Sequence, residues 1–240
     1  MEIFTQEGGV ILSRWGHYLA GVTWVGLLYY FNFVQAPSFA HLEAGARAEV
    51  LEKLVPRALW WFRYAAVLTV LTGISILAFQ ENLGADYFKT APGISISTGI
   101  LLALVMFANV WMVIWPKQRS VIAASRTAGG APADPATARA ARMALLVSRT
   151  NTVLSIPMLW FMGVTSHFAG SFELTPEGGE RALYWLITLA LVAALELNAL
   201  GVIGGTGQGP TKTYLETHKH AVLAGLALWA VFVVVWEAIF

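Results

Sequence analysis

Six runs of mostly apolar residues divide this chain, each about as long as an α-helix must be to cross the hydrocarbon core of a bilayer. They are Val10 to Ala36, Leu59 to Phe79, Ile94 to Trp115, Thr152 to Gly170, Ala182 to Gly204 and Ala221 to Phe240. A backbone in lipid must satisfy its own hydrogen bonds, which leaves helices and closed barrels, and runs this long are helices. The expected fold is therefore all-α: one polytopic transmembrane bundle over residues 1–240. Composition agrees. Only 12% of the 240 residues are charged, where a soluble domain carries about a quarter, so most of the surface is expected to face lipid. A net charge of +1 points to no nucleic-acid partner. The absence of cysteine excludes disulfides, thiolate metal sites, iron–sulfur clusters and covalently attached c-type haem. Met1 to Gly9 is polar, and the run after it is too long for a signal-peptide core and lacks a small-residue cleavage site, so it reads as the first span.

The basic residues orient the spans. Arg47, Lys53, Arg57, Arg63, Lys117, Arg119, Arg126, Arg139, Arg142, Arg149, Lys212 and Lys219 fall on one side. Arg14, Lys89 and Arg181 fall on the other, with Glu173, Glu177 and Glu180. The positive-inside rule then puts both termini on the outer, periplasmic side of a bacterial cytoplasmic membrane. Trp60, Trp61, Trp111 and Trp115 are expected at the inner interface, and Trp15, Trp185 and Trp236 at the outer one. Ser38 to Val55 reads as an amphipathic surface helix, with Pro56 opening the next span. Ala128 to Ala133 reads as a turn, followed by Asp134-Pro135 as N-cap and first residue of a long helix. Pro157 falls inside that helix.

Polar side chains within spans are costly and mark candidate sites. At the outer side, His17 lies about two turns inside span one and His167 about one turn from the end of span four. Each has a glycine one turn deeper, Gly21 and Gly163. Two imidazoles at one depth beside glycine clearance suit the axial ligation of haem b, with Arg14 and Arg181 placed to reach its propionates. Interhelical hydrogen bonding by both histidines explains the same pattern. At the inner side, Arg63, Asn109, Arg149, Asn151, Glu196 and Asn198 gather amides and guanidinium groups near tryptophans, joined by Asn32, Gln35 and Arg57. Such a set suits a planar hydrogen-bonding anion, while lipid anchoring and structural pairing are the competing explanations. His218 and His220 sit in the last inner loop and are second-choice metal ligands; His41 lies on the same side. The run Gly201 to Gly209 lacks the Gly-Lys-Ser/Thr ending of a phosphate-binding P-loop.

Several stretches resemble the membrane-bound urate oxidase family, also called urate hydroxylase. Arg14-Trp-Gly-His-Tyr-Leu-Ala-Gly-Val-Thr-Trp-Val-Gly resembles its first span. Val55-Pro-Arg-Ala-Leu-Trp-Trp-Phe-Arg and Asn109-Val-Trp-Met-Val-Ile-Trp-Pro resemble later ones. Ser148-Arg-Thr-Asn-Thr-Val-Leu-Ser-Ile-Pro-Met-Leu, with Ser166-His167-Phe168 beyond it, is the most distinctive. The resemblance implies a membrane domain, here expected without the C-terminal cytochrome c domain common in the family. It implies oxidation of urate or a similar small reductant with electrons passed to cytochrome c, here expected to be a separate protein, and the histidine pair would hold haem b on the way. A haem-bearing or accessory subunit of a larger respiratory complex is the alternative, and a small-solute transporter is the reading from another class. Paired broken spans of the kind transporters show are not evident in the two halves.

Overall fold

The computed structural model describes residues 3–127, 133–168 and 174–240, all helical or irregular among those residues. Glu173 and nearly all of the turn expected at Ala128 to Ala133 lie outside them. Helix α1 (Gln6–Tyr29) starts where the Thr5 hydroxyl accepts from the Gly8 N–H. It continues through a π-helical turn, Tyr30–Gln35, into α2 (Ala36–Ser38). The surface helix expected after it is α3 (Ala44–Lys53), shorter than the sequence suggested. Next come α4 (Val55–Phe79) and then α5 (Ala91–Ala108), which runs through a second π turn, Asn109–Ile114, into α6 (Trp115–Thr127). The remaining helices are α7 (Pro135–Phe168), α8 (Gly178–Ala199), the short α9 (Thr213–Glu216) and α10 (His218–Ile239).

Each π turn precedes a proline, Pro37 or Pro116. Proline has no N–H and its ring crowds the carbonyl four residues back. Widening the helix relieves that crowding, and the Ala36 and Trp115 N–H groups reach back five residues to the Phe31 and Val110 carbonyls.

Tertiary contacts define two common ends. At one, the Gln6 amide donates to the Phe79 carbonyl at 2.8 Å, Thr165 donates to Ser95 at 2.7 Å, and Tyr184 meets Trp236 and Phe240. At the other, Asn32 donates to Ser148 and Arg149 to the Leu215 carbonyl. The long helices thus alternate up and down, and α1 starts at the same end at which α10 finishes. We call these the histidine end and the arginine end. Helix α1 rests chiefly on α4, whereas α7 is central and packs on α5, α6, α8 and α10. Gly225 lets α10 close on α7: a Cβ there would stand 2.6 Å from Ile156 Cδ1 and 2.9 Å from the Val153 carbonyl.

Four helical segments are long and apolar enough to cross a membrane: Ala44–Phe79, Ala91–Arg126, Gly178–Ala199 and His218–Ile239. Their outer faces, and that of α1, carry exposed leucine, isoleucine and valine, including Leu12, Leu19, Leu71, Ile74, Leu186, Leu223 and Val234. Faces this apolar fit a lipid surround and not water. Helices α1 and α7 are not among the four. They are the pair that carries both expected haem ligands, and they share polar contacts in place of an all-apolar seam. Trp236, near the histidine end of α10, is buried and packs edge-on against Tyr184 with centroids 5.6 Å apart.

Candidate functional site

The histidine-end site is built on α1, α4 and α7. His17 is half-buried, and its Nδ1 lies 3.1 Å from the Thr72 hydroxyl on α4. That hydroxyl itself donates to the Leu68 carbonyl at 2.7 Å, so with its one proton so used it accepts from an Nδ1–H tautomer. Nε2 is then the nitrogen left with a free lone pair. Gly73 makes room for the ring, since a Cβ there would lie 3.3 Å from His17 Cε1. Thr72 and Gly73 were not anticipated from sequence. A Thr-Gly pair in span two at the depth of His17 was the available signal.

His167 is exposed, and its imidazole makes no hydrogen bond among the described residues. Its height follows from a contact lower in the bundle. Tyr29 on α1 and Ser155 on α7 are hydrogen-bonded at 2.9 Å, and the two helices run antiparallel. His17 and His167 each lie twelve residues from that contact, which is about 18 Å along either helix. They therefore stand at one level. The hydrogen bonds joining α1 to α7 lie on the arginine side of that level. No heavy atom comes within 4 Å of a Cβ built on Gly21 or Gly163. An imidazole oriented through Nδ1, a second with both nitrogens unengaged, and open space below each fit an axial pair for a flat macrocycle. Arg14 is exposed at the same end. Arg181 donates to the Pro176 carbonyl at 2.6 Å.

At the arginine end the expected cluster separates into three. Asn109, Asn151 and Glu196 come together: the Asn109 amide donates to Asn151 Oδ1 at 2.8 Å and to Glu196 Oε1 at 2.9 Å. Asn151 donates to the Met106 carbonyl at 3.0 Å. Both asparagines are buried, and among the described residues no cation pairs with Glu196. Arg63 lies apart, its guanidinium 3.5 Å above the Trp115 ring and 5.2 Å from that of Trp111. The third group sits under the loop between α8 and α10. Arg149 donates to the Leu215 carbonyl at 2.6 Å and to that of Glu216. Arg142 forks onto both oxygens of Glu216 and donates through Nε to the Thr206 carbonyl at 3.0 Å. Lys212, fully buried, donates to the Ile203 carbonyl at 3.1 Å and to that of Asn198, and Asn198 Oδ1 accepts from Tyr214 at 2.9 Å. Burial pushes the Lys212 ammonium below its usual range, and burial beside Glu196 pushes the Tyr214 phenol up to about 12. His220 Nδ1 lies 3.0 Å from the Thr213 carbonyl, and the His218 ring stands 5.8 Å from Phe33. Among the described residues no three His, Asp or Glu side chains are grouped to hold a metal ion.

The hydrogen bonds from Arg142, with the charge of Arg149 behind them, hold the Glu216 carboxyl below the usual carboxylate range. A depressed carboxylate stabilises the fold above its unfolded pKa of about 4.3, and that contribution is lost as pH falls through the folded value. Thermal unfolding scans should therefore show wild-type stability dropping below pH 4.3 by more than that of Glu216→Gln. Parallel curves would remove the ion pair as the cause.

The fold and these sites describe a polytopic helical membrane protein with buried polar networks. Residues 82–230 match the urate oxidase N-terminal family, and the chain belongs to that family. The match takes in His167, Asn109, Arg149, Asn151, Glu196 and Asn198, and leaves His17 and Arg63 before its start. No curated protein and no solved structure matches the chain.

Proposed function

We propose that this chain is a membrane redox protein that passes electrons from a small reductant on the inner side to a cytochrome c on the outer side. It would cross a bacterial cytoplasmic membrane six times, with the histidine end and both termini outside. Support for six crossings comes from α1 and α7, which span the same two ends as the four strongly apolar segments. Support for the direction comes from the basic residues collected at the arginine end.

The observation that carries the proposal is the common level of His17 and His167, with open space at Gly21 and Gly163. His17 and His167 would hold haem b, which supplies a one-electron carrier near the outer face. Thr72 fixes the His17 tautomer and ring plane, and Gly73 admits the ring. Arg14 would meet a propionate. On the inner side, Asn109, Asn151 and Glu196 would receive the reductant, while Arg63, Arg149 and Asn198 belong to the two separate groups described above. Membership of the urate oxidase N-terminal family supports urate or a similar N–H-rich compound. Its two-electron oxidation releases protons, and Glu196, with one oxygen accepting from Asn109, is the base placed to accept one. Two cytochrome c molecules would take one electron each.

Protein purified from haem-sufficient cells should show a Soret band that shifts on dithionite reduction. Membranes containing it should reduce ferricytochrome c when given urate, at least tenfold faster than membranes without it. A Soret band with no urate-dependent reduction would assign the chain to the haem-bearing subunit of a larger complex. A folded, colourless protein would end the redox reading.

A further inference from the structure

The glycine-rich loop from Gly201 to Gly209 is held at the Ile203 carbonyl by Lys212 and at the Thr206 carbonyl by Arg142. Gly201, Gly204 and Gly205 have φ of 79°, 74° and 65°, the left-handed region that glycine enters without strain. These turns fold the loop back onto α7, where Arg142 Nε holds the Thr206 carbonyl. Between loop and helix lies an open cleft of about 360 Å³, lined by Ala138, Arg139, Arg142, Thr206, Gly207 and Gln208.

The chemistry of this cleft is that of an anion site. Among the described residues, the backbone N–H groups of Gly207 and Gln208 find no protein acceptor. Arg139 is exposed, and among the described residues its guanidinium has no carboxylate partner. Arg142 uses three of its five N–H groups on Thr206 and Glu216, leaving two. Lys212 and Arg149 stand behind the loop with their donors on backbone carbonyls. Among the described residues, Glu216 is the one carboxylate bonded within this set of four cations, so the surroundings keep a surplus of positive charge. Free backbone N–H groups beside an unneutralised arginine are what a phosphate oxygen needs.

Depth decides the source of the phosphate. Helix α7 has 34 residues, about 50 Å, against a hydrocarbon core of about 30 Å. Arg139 is one turn from its start and about 20 Å beyond Thr152, where the apolar run begins. Headgroups extend only about 5–8 Å past the core. The geometry points to a binding site for a soluble phosphate-bearing anion at this cleft, on the inner side and outside the headgroup layer.

The probe is inorganic phosphate, added to detergent-purified full-length protein at ionic strength matched with chloride. Millimolar phosphate should raise the unfolding temperature by several degrees in the wild type. The shift should vanish in Arg139→Glu and in Ala138→Glu, whose exposed positions leave the fold intact. Nanodiscs of phosphatidylglycerol and phosphatidylcholine form the second arm, and protein in the two should be equally stable. Protection by phosphatidylglycerol with none from inorganic phosphate would give the contacts to a lipid headgroup and overturn the soluble occupant. No shift with either, or a shift undiminished in both variants, would overturn the site.

Discussion

His17→Ala and His167→Ala should each remove the low-spin haem spectrum. Pyridine haemochrome assays should show bound haem falling to below a tenth of the wild-type ratio in the double variant. The two single variants should differ. His17 is oriented by Thr72 and sits half-buried on α4, so its loss removes the better-organised ligand. His167 is exposed, so His167→Ala should leave a five-coordinate, high-spin residue of haem. Thr72→Val keeps the shape beside His17 and deletes the hydrogen bond. It should keep the haem but loosen His17 as a ligand, read as easier displacement by added imidazole. Unchanged spectra in both histidine variants would place the ligands elsewhere, with His218 and His220 next to be tested.

Asn109→Leu should lower the unfolding free energy by about 2–4 kcal/mol, since it leaves Asn151 Oδ1 and a Glu196 oxygen without donors in a buried setting. Equilibrium unfolding in mixed micelles would read this. Glu196→Gln should cost less, because an amide oxygen still accepts from Asn109. Asn109→Leu combined with Glu196→Leu should be less destabilised than the sum of the two, with a coupling of about 1 kcal/mol, since the pair removes donor and acceptor together. Strict additivity would mean that the hydrogen bond carries no energy. Urate-dependent cytochrome c reduction in Glu196→Gln separates the roles further: a stable but inactive variant marks the carboxylate as chemical, and an active one marks it as structural.

Much of the architecture was legible because lipid leaves few solutions. Run length placed α1, α4, α8 and α10 to within a turn or two; it missed the polar first half of α7 and the extension of α5 into α6, and the start of α7 was legible only from Asp134-Pro135, where Asp134 caps the helix by accepting from Ala136 and Thr137. Matched depth of His17 and His167 was also legible, since it needs only the rise per residue and alternating direction. Lateral neighbours were not. Nothing in the spacing said that α4, and not α7, would be the main partner of α1, so Thr72 and Gly73 went unnoticed. The inner cluster looked like one site because depth is the only coordinate that sequence supplies. Around the bundle, Arg63 turns to Trp115 while Asn109 turns to Asn151 and Glu196.

The π turns at Tyr30–Gln35 and Asn109–Ile114 bear on how this chain tolerates change in length. A π turn carries one residue more than the α-helix it interrupts. Elsewhere in a helix, deleting one residue swings all that follows by about 100° and would turn His17 away from Thr72. A deletion between Tyr30 and Gln35 instead closes the bulge and leaves both flanking stretches in phase. The two segments are therefore the places where a span can lose a residue while its faces stay aligned, provided that Pro37 or Pro116 is also replaced.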